Sequence, residues 1–155
     1  MKTRGMTFLE KQGISFQAHP YEHREKGAEF AAAATGIALE RMIKTLVVAE
    51  DGGKGVVFVL MPGDRELDLK LAARAAGWKK ARMADVAEAE KLTGYQVGGI
   101  SPFGARRTLP VLMEESLAGF DRVGINGGAR GVIVELDPAD IRSVLRPVIA
   151  PLARS

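Results

Sequence analysis

Two runs of β-branched and apolar residues, separated by one short turn, constrain the fold of this chain most. The runs are MIKTLVVAE (42–50) and GVVFVLM (55–61), and the turn between them is DGGK (51–54). Asp-Gly between two such runs is a strong hairpin signal, because glycine adopts the positive φ that a tight β-turn needs. The sequence therefore predicts an antiparallel β-hairpin over residues 42–61.

The remaining patterns predict helices and short strands in mixed order. Helices are expected over residues 7–12, 28–35, 69–76, 86–93 and 138–145, the last three capped by Asp68, Asp85 and Asp137. Further strands are expected at 14–19, 79–84, 108–114, 122–127 and 131–136. Because several consecutive strands are joined by short turns, we predict one α+β domain over residues 1–155, with a mixed, mostly antiparallel, barrel-like sheet flanked by helices. A doubly wound nucleotide-binding fold is disfavoured.

Composition narrows the classes of function. The 155 residues include no cysteine, which excludes disulfide frameworks, cysteine–zinc sites and a cysteine nucleophile. The N-terminus lacks the apolar core of a secretory signal and no apolar run is long enough to span a bilayer, so we expect a cytoplasmic protein without membrane association. The net charge of +3 is compatible with a polyanionic partner, as are local clusters at 79–82 and 106–107, but a solvated basic surface explains them equally well.

Two glycine-rich segments raise the question of a site. GYQVGGISPFG (94–104) and NGGARG (126–131) match no phosphate-binding loop. Each is explained by tight turns alone. Alternatively, they line one pocket with backbone N–H groups, which bind a carbonyl oxygen or a phosphate without a side chain in the way.

Lys44 is the most informative charged residue, because it lies inside the apolar run of the first hairpin strand. A lysine in apolar company needs a route to water or an anionic partner. Lys44 is therefore either an edge-strand lysine that discourages aggregation or a fixed cation at the mouth of a pocket.

Other catalytic patterns are weak. His19 and His23 are four residues apart, but Pro20 between them argues against the helical spacing that a metal site would use, so no metal is expected. Ser101 is followed by Pro102, has no obvious base partner and lacks a Gly-x-Ser-x-Gly elbow.

Five segments occur along the chain in this order: IKTLVV, LDLKLAARAAG, RMAD, TGYQVGGISPFG and NGGARG. The YbaK/EbsC family shows similar segments in the same order. The chain resembles this family from about Thr7 to the last helix. The family comprises bacterial Cys-tRNA(Pro) deacylases related to the editing domain of prolyl-tRNA synthetases. The resemblance implies hydrolysis of mischarged tRNA at its 3′ aminoacyl end, without metal or organic cofactor. Prolyl-tRNA synthetase is a further expected partner, and a monomer and a weak homodimer are both compatible with the sequence.

The resemblance also implies roles for individual residues. Lys44 matches the family's essential lysine, and the backbone of Gly98 and Gly99 would stabilise the oxyanion. The implied substrate-binding positions are Tyr21, Phe30, Thr45, Ile100, Ser101, Asn126, Gly127 and Gly128. In the family scheme the thiol of the substrate attacks its own ester, so the protein needs no nucleophile of its own.

Three positions depart from the family pattern. Asn126 stands where serine is usual, Ala129 where lysine is usual, and Ile133 where a short polar residue is frequent. These departures leave amino-acid preference and tRNA affinity open. Release of alanine or serine, and a catalytically silent tRNA- or synthetase-binding module, are therefore the alternatives.

Overall fold

The computed structural model describes residues 2–155, which form five α-helices and eight β-strands. The helices are α1 (Arg4–Lys11), α2 (Ala28–Thr35), α3 (Leu69–Ala76), α4 (Val86–Thr93) and α5 (Pro138–Leu145). The strands are β1 (Gln17–Pro20), β2 (Ile43–Glu50), β3 (Val56–Pro62), β4 (Ala81–Met83), β5 (Val111–Glu114), β6 (Val123–Asn126), β7 (Val132–Leu136) and β8 (Val148–Ala150). This mixture confirms the predicted α+β class.

The strands form two sheets. The larger has the order β4-β2-β3-β5-β8 and the smaller the order β1-β7-β6. Strands β2 and β3 pair antiparallel, which confirms the predicted hairpin, whereas β3, β5 and β8 run parallel. A single bridge from Met42 to Gly124 joins the two sheets. Because this contact is one bridge long, the sheets do not close into the barrel that the sequence suggested.

Side-chain caps fix the helix ends near the predicted positions. Asp68 accepts hydrogen bonds from the first backbone N–H groups of α3, and Asp85 forms a capping box with Glu88 at the start of α4. Helix α1 begins three residues before the predicted start, because Thr3 Oγ1 accepts from Met6 N at 3.0 Å and caps it. Strand β8 was not predicted.

Buried side chains pack on both faces of the larger sheet. One face packs on the smaller sheet, with Phe58 and Val134 in its core, and the other packs on α3. A third cluster places Met42 and Ile133 against α2, where the sheets meet. The start of β2 therefore lies at the junction of all three clusters. No helix in residues 2–155 is long and apolar enough to cross a bilayer.

Candidate active site

A cavity of about 300 Å³ opens where the start of β2 meets the two glycine-rich segments. This volume lies at the small end of the range for ligand sites. Six of the predicted site residues line it: Tyr21, Lys44, Thr45, Gly98, Ile100 and Asn126. The other lining residues are Lys26, Gly27, Ala28, Ala31, Met42, Ile43, Leu46, Val97 and Ile133, of which sequence reasoning had singled out only Ile133.

The open edge of β2 explains why four consecutive residues, 43–46, line the cavity. A strand that is paired on both sides presents only alternate side chains to a given face. Strand β4 pairs with β2 only from Val48 to Glu50, so the edge at residues 43–46 carries no strand. The cavity occupies that gap.

Lys44 keeps its ammonium group at the cavity by a bond to the backbone. Its Nζ donates to the carbonyl oxygen of Arg65 at 2.5 Å, and the residue is half-buried. Within residues 2–155, no carboxylate lies within ion-pair distance of Lys44. Its positive charge is therefore available to an anionic or carbonyl group in the cavity.

The loop at residues 96–101 presents backbone to the cavity. Gly98 has a φ of +96°, a conformation that favours glycine. The N–H of Gly99 donates to the Gln96 carbonyl oxygen at 2.8 Å and is used inside the loop. In the described chain the N–H groups of Gly98 and Ile100 have no acceptor, and both residues line the cavity. Among the described residues of this loop, Gly98 and Ile100 are therefore the lining residues whose backbone N–H groups are free to donate.

Asn126 connects the two glycine-rich segments. Its Nδ2 donates to the Gly98 carbonyl oxygen at 3.2 Å, while its Oδ1 accepts from Gly128 N at 2.7 Å and Ala129 N at 3.2 Å. Arg130 adds a second bond, from Nε to the Val97 carbonyl oxygen at 3.0 Å. Two side chains of the turn at 126–131 therefore hold the loop at 96–101 in position.

Gly99 lies where these segments touch. A Cβ there would lie 2.7 Å from Arg130 N and 2.8 Å from the carbonyl carbon of Ala129. Since these are backbone atoms, they cannot rotate away. Gly99 therefore permits close packing and does not itself line the cavity.

Three other predicted residues also lie outside the lining. Ser101 is fully buried, and its Oγ accepts from Phe103 N at 3.1 Å. Gly127 packs against β7, and Gly128 lies against the ring of Tyr95. These three residues shape the two segments, and their contact with substrate stays a prediction.

One aromatic residue lines the cavity and a second packs against it. Tyr21 lines the cavity, and the Phe30 ring lies behind it with a centroid separation of 6.1 Å and an interplanar angle of 48°. Partial burial raises the pKa of the Tyr21 hydroxyl above its ordinary value, so the hydroxyl is protonated at neutral pH. Phe30 thus supports Tyr21 and does not line the cavity.

Two buried polar atoms in the described chain have no hydrogen-bond partner, Thr45 Oγ1 and His23 Nδ1. Thr45 lines the cavity, and the His23 ring lies beside Gly98. An unpaired buried hydroxyl costs about 1–3 kcal/mol, which a ligand group can recover by bonding to it. His19 instead contacts Glu135, with 2.8 Å between Nε2 and Oε1, so the two histidines lie in different surroundings.

The chain is similar to known proteins along most of its length. A protein of Enterococcus faecalis, provisionally named Cys-tRNA(Pro)/Cys-tRNA(Cys) deacylase EbsC, is 35% identical over 92% of this chain and 88% of its own. The multifunctional Ser/Thr-tRNA deacylase ProXp-y of Escherichia coli is 28% identical over 98% of this chain and 92% of its own. A crystal structure described provisionally as a trans-editing enzyme for prolyl-tRNA synthetase superposes with a TM-score of 0.88 at 27% identity, covering 98% of this chain and 96% of that one.

The family model for aminoacyl-tRNA editing domains matches residues 23–144. The match includes β2, the loop at 96–101 and the turn at 126–131, which together form most of the cavity wall. Members of this family release mischarged amino acids from tRNA. The chain belongs to the aminoacyl-tRNA editing family, as its resemblance to YbaK/EbsC proteins predicted, and is a tRNA deacylase.

Proposed function

We propose that the protein acts in trans on Cys-tRNA(Pro), with the cysteinyl group bound in the cavity at the start of β2 and the whole chain acting as one editing domain. The observation that carries the proposal is that one small cavity is lined by a cation, Lys44, and by two residues with unused backbone N–H groups, Gly98 and Ile100. This arrangement suits an ester carbonyl whose oxygen gains negative charge during cleavage. The name of the 35%-identical relative supports cysteine as the amino acid.

The reaction needs no nucleophile from the protein. The sulfur of the cysteinyl group attacks its own ester carbon, and the N–H groups of Gly98 and Ile100 stabilise the tetrahedral oxyanion. The bond from the carbon to the ribose oxygen then breaks, giving a cyclic thiolactone and the free 3′ end. The thiol proton goes to the ribose oxygen, so atoms and charge balance. Holding sulfur and carbon close together supplies most of the acceleration.

The cavity floor favours a thiol over a hydroxyl. Met42, Leu46 and Ile133 line it, and Ile133 stands where the family frequently has a polar residue. A thiol is a weak hydrogen-bond donor that behaves as a small apolar group. A hydroxyl that points at these three side chains would lose hydration without gaining a partner from them.

A second candidate is release of serine or threonine with water as nucleophile. The unpaired Thr45 Oγ1 supports it, because this hydroxyl could bond to the hydroxyl of a seryl group. The similarity to ProXp-y points the same way. In this case the apolar floor would contact only the carbon atoms of the substrate.

Deacylation of tRNA(Pro) charged with cysteine, serine, threonine, alanine or proline tests the proposal. We expect the cysteinyl ester to be cleaved about 100-fold faster than the seryl ester, the upper range for discrimination by an apolar pocket. Mass spectrometry of the first product should detect the thiolactone. Equal rates for cysteine and serine would favour water, and tRNA binding without cleavage of any ester would favour a non-catalytic module.

A further inference from the structure

A second groove, of about 730 Å³, lies between α3 and β4 on the face of the larger sheet that packs on α3. Four cations line it: Lys70, Arg74, Lys79 and Lys80. The segment 69–84, which contains them and Arg82, has no aspartate or glutamate.

Most of this charge is not neutralised. Among residues 2–155, only Lys80 of the four groove cations lies within ion-pair distance of a carboxylate, at 3.5 Å from Asp51, and both side chains are largely exposed. An exposed pair of this kind contributes little. Lys70, Arg74 and Lys79 are exposed and form no ion pair with any residue that the structure describes. The groove therefore carries a net positive charge that suits a polyanion.

Trp78 adds an aromatic surface to the same groove. It is half-buried, and its ring packs against Gly55, where a Cβ would lie 2.7 Å from Cζ2. This packing holds the indole in place beside the cations. Cations along a groove together with a fixed aromatic ring bind single-stranded nucleic acid, because phosphates pair with the cations while a base stacks on the ring. An acidic peptide would pair with the cations but would make no use of the Trp78 ring, so the ring favours a nucleic acid.

The groove and the cavity are close enough for one RNA strand to contact both. Ala81 lines the groove and pairs with Glu50, six residues along β2 from Lys44. At about 3.3 Å per residue, the two sites are roughly 20 Å apart along the strand. An unstacked strand, whose base is free to stack on Trp78, spans more than the stacked rise of about 3.4 Å per nucleotide and covers that distance in fewer than about six nucleotides.

We propose that the groove of Lys70, Arg74, Trp78 and Lys79 binds the sugar-phosphate backbone of the tRNA acceptor arm while the 3′ aminoacyl end occupies the cavity. This inference rests on the proposed function for its substrate but makes a separate claim about RNA binding. The groove adds binding affinity for the tRNA, and the cavity is where the ester is cleaved.

The test compares two triple variants of equal charge. The groove variant is Lys70→Ala/Arg74→Ala/Lys79→Ala, and the control is Lys91→Ala/Arg107→Ala/Arg142→Ala, whose three cations are also exposed and lie outside the groove. Binding of unacylated tRNA(Pro) is measured at salt concentrations from about 50 to 300 mM. The slope of log K against log salt then reports the number of phosphate contacts. Hydrolysis of cysteinyl-adenosine, an ester without the RNA strand, is measured beside it.

We expect the groove variant to reduce the slope of log K against log salt by about 2, since each lost phosphate contact removes about 0.7. Its hydrolysis of cysteinyl-adenosine should equal that of the wild type, and the control should change neither quantity. Trp78 is the only tryptophan, so its fluorescence should be quenched by tRNA.

Three results would overturn the groove assignment: equal slopes for both variants and the wild type, unquenched Trp78 at saturating tRNA, or equal binding of polyglutamate and tRNA. A distinct pattern identifies failure of the proposed function. In that pattern the wild type cleaves no cysteinyl ester, while the groove variant still shows the reduced slope.

Discussion

The two walls of the cavity are built in different ways. The strand wall, residues 43–46 of β2, supplies side chains, chiefly the Lys44 ammonium and the Thr45 hydroxyl. The loop wall, residues 97–100, supplies the backbone N–H groups of Gly98 and Ile100. The strand is held by its ladder with β3, whereas the loop is held by side-chain bonds from Asn126 and Arg130.

This difference decides how each wall can be tested. A side-chain group of the strand wall can be removed by truncation with little change to the fold. A backbone donor of the loop wall cannot be removed that way, so the loop must be displaced through the residues that support it. If backbone donors and a side-chain cation stabilise the same oxyanion, damage to either wall should lower the rate for every amino acid.

Truncation of the strand wall at Lys44 should have the largest effect. We expect Lys44→Ala to lower kcat/KM for cysteinyl-tRNA by roughly 100- to 1,000-fold, the range for removal of one group that stabilises an oxyanion. The loss should extend to cysteinyl-adenosine, because the cation acts at the ester. Lys54→Ala is the matched control, since Lys54 is exposed in the turn between β2 and β3.

Thermal unfolding of both lysine variants separates chemistry from stability. Lys44 makes one bond to the Arg65 carbonyl oxygen, so its loss should cost no more than about 1–3 kcal/mol. Undiminished turnover in a folded Lys44→Ala protein would remove the cation from the mechanism.

Displacement of the loop wall should follow from Gly99→Ala. The added Cβ would meet backbone atoms of Arg130 and Ala129 within 3 Å, so the loop and the turn must separate. We expect a loss of about 1–3 kcal/mol in the free energy of unfolding, as for other overpacked sites, together with reduced kcat/KM. Gly119→Ala is the control, because nothing lies within 4 Å of its added Cβ. Urea unfolding and steady-state rates measure both effects.

The strand wall was predictable from sequence and the loop wall only partly. The hairpin and the position of Lys44 follow from a local pattern of β-branched residues around an Asp-Gly turn. The structure contains the hairpin and places Lys44 in the cavity lining, while the catalytic role of Lys44 stays a prediction. The involvement of Gly98 was also predicted. The Gly99 N–H is used inside the loop, where it donates to the Gln96 carbonyl oxygen. This backbone bond cannot be predicted from the residue types. Ile100 was predicted as a substrate-binding position, but its free backbone N–H becomes visible only in the folded loop.

Non-local contacts explain the other differences. Strand β8 pairs in parallel with β5, more than thirty residues earlier, and its segment is flanked by Pro147 and Pro151, so no local turn signal predicts it. The early start of α1 was hidden by Gly5, a poor helix former. In the structure Gly5 lies directly against the Gly127 carbonyl oxygen, a contact that a side chain would block.

Asn126 offers a finer change to the loop wall, because its amide makes separate bonds to the loop and to its own turn. Asn126→Asp keeps the oxygen that accepts from Gly128 and Ala129 but loses the N–H₂ donor to the Gly98 carbonyl oxygen. We expect kcat/KM to fall by roughly tenfold or more, because the lost hydrogen bond is worth about 1.4 kcal/mol and a carboxylate oxygen would also repel the Gly98 carbonyl oxygen. Asn126→Ala should lose stability as well. Full activity in Asn126→Asp would show that this bond does not position the loop.

Thr45→Val should have the smallest effect. It tests whether the Thr45 hydroxyl on the strand wall binds the side chain of a seryl substrate. Thr45 Oγ1 is buried without a partner in the described chain, so valine of nearly equal shape should leave stability unchanged or slightly higher. If cysteine is the substrate, the cysteinyl rate should stay within about twofold, because a thiol gains little from a hydroxyl. The seryl rate should fall about tenfold if that hydroxyl binds the seryl side chain. Equal falls for both esters would instead place Thr45 at the shared ester group, since only a contact common to the two substrates changes both rates alike.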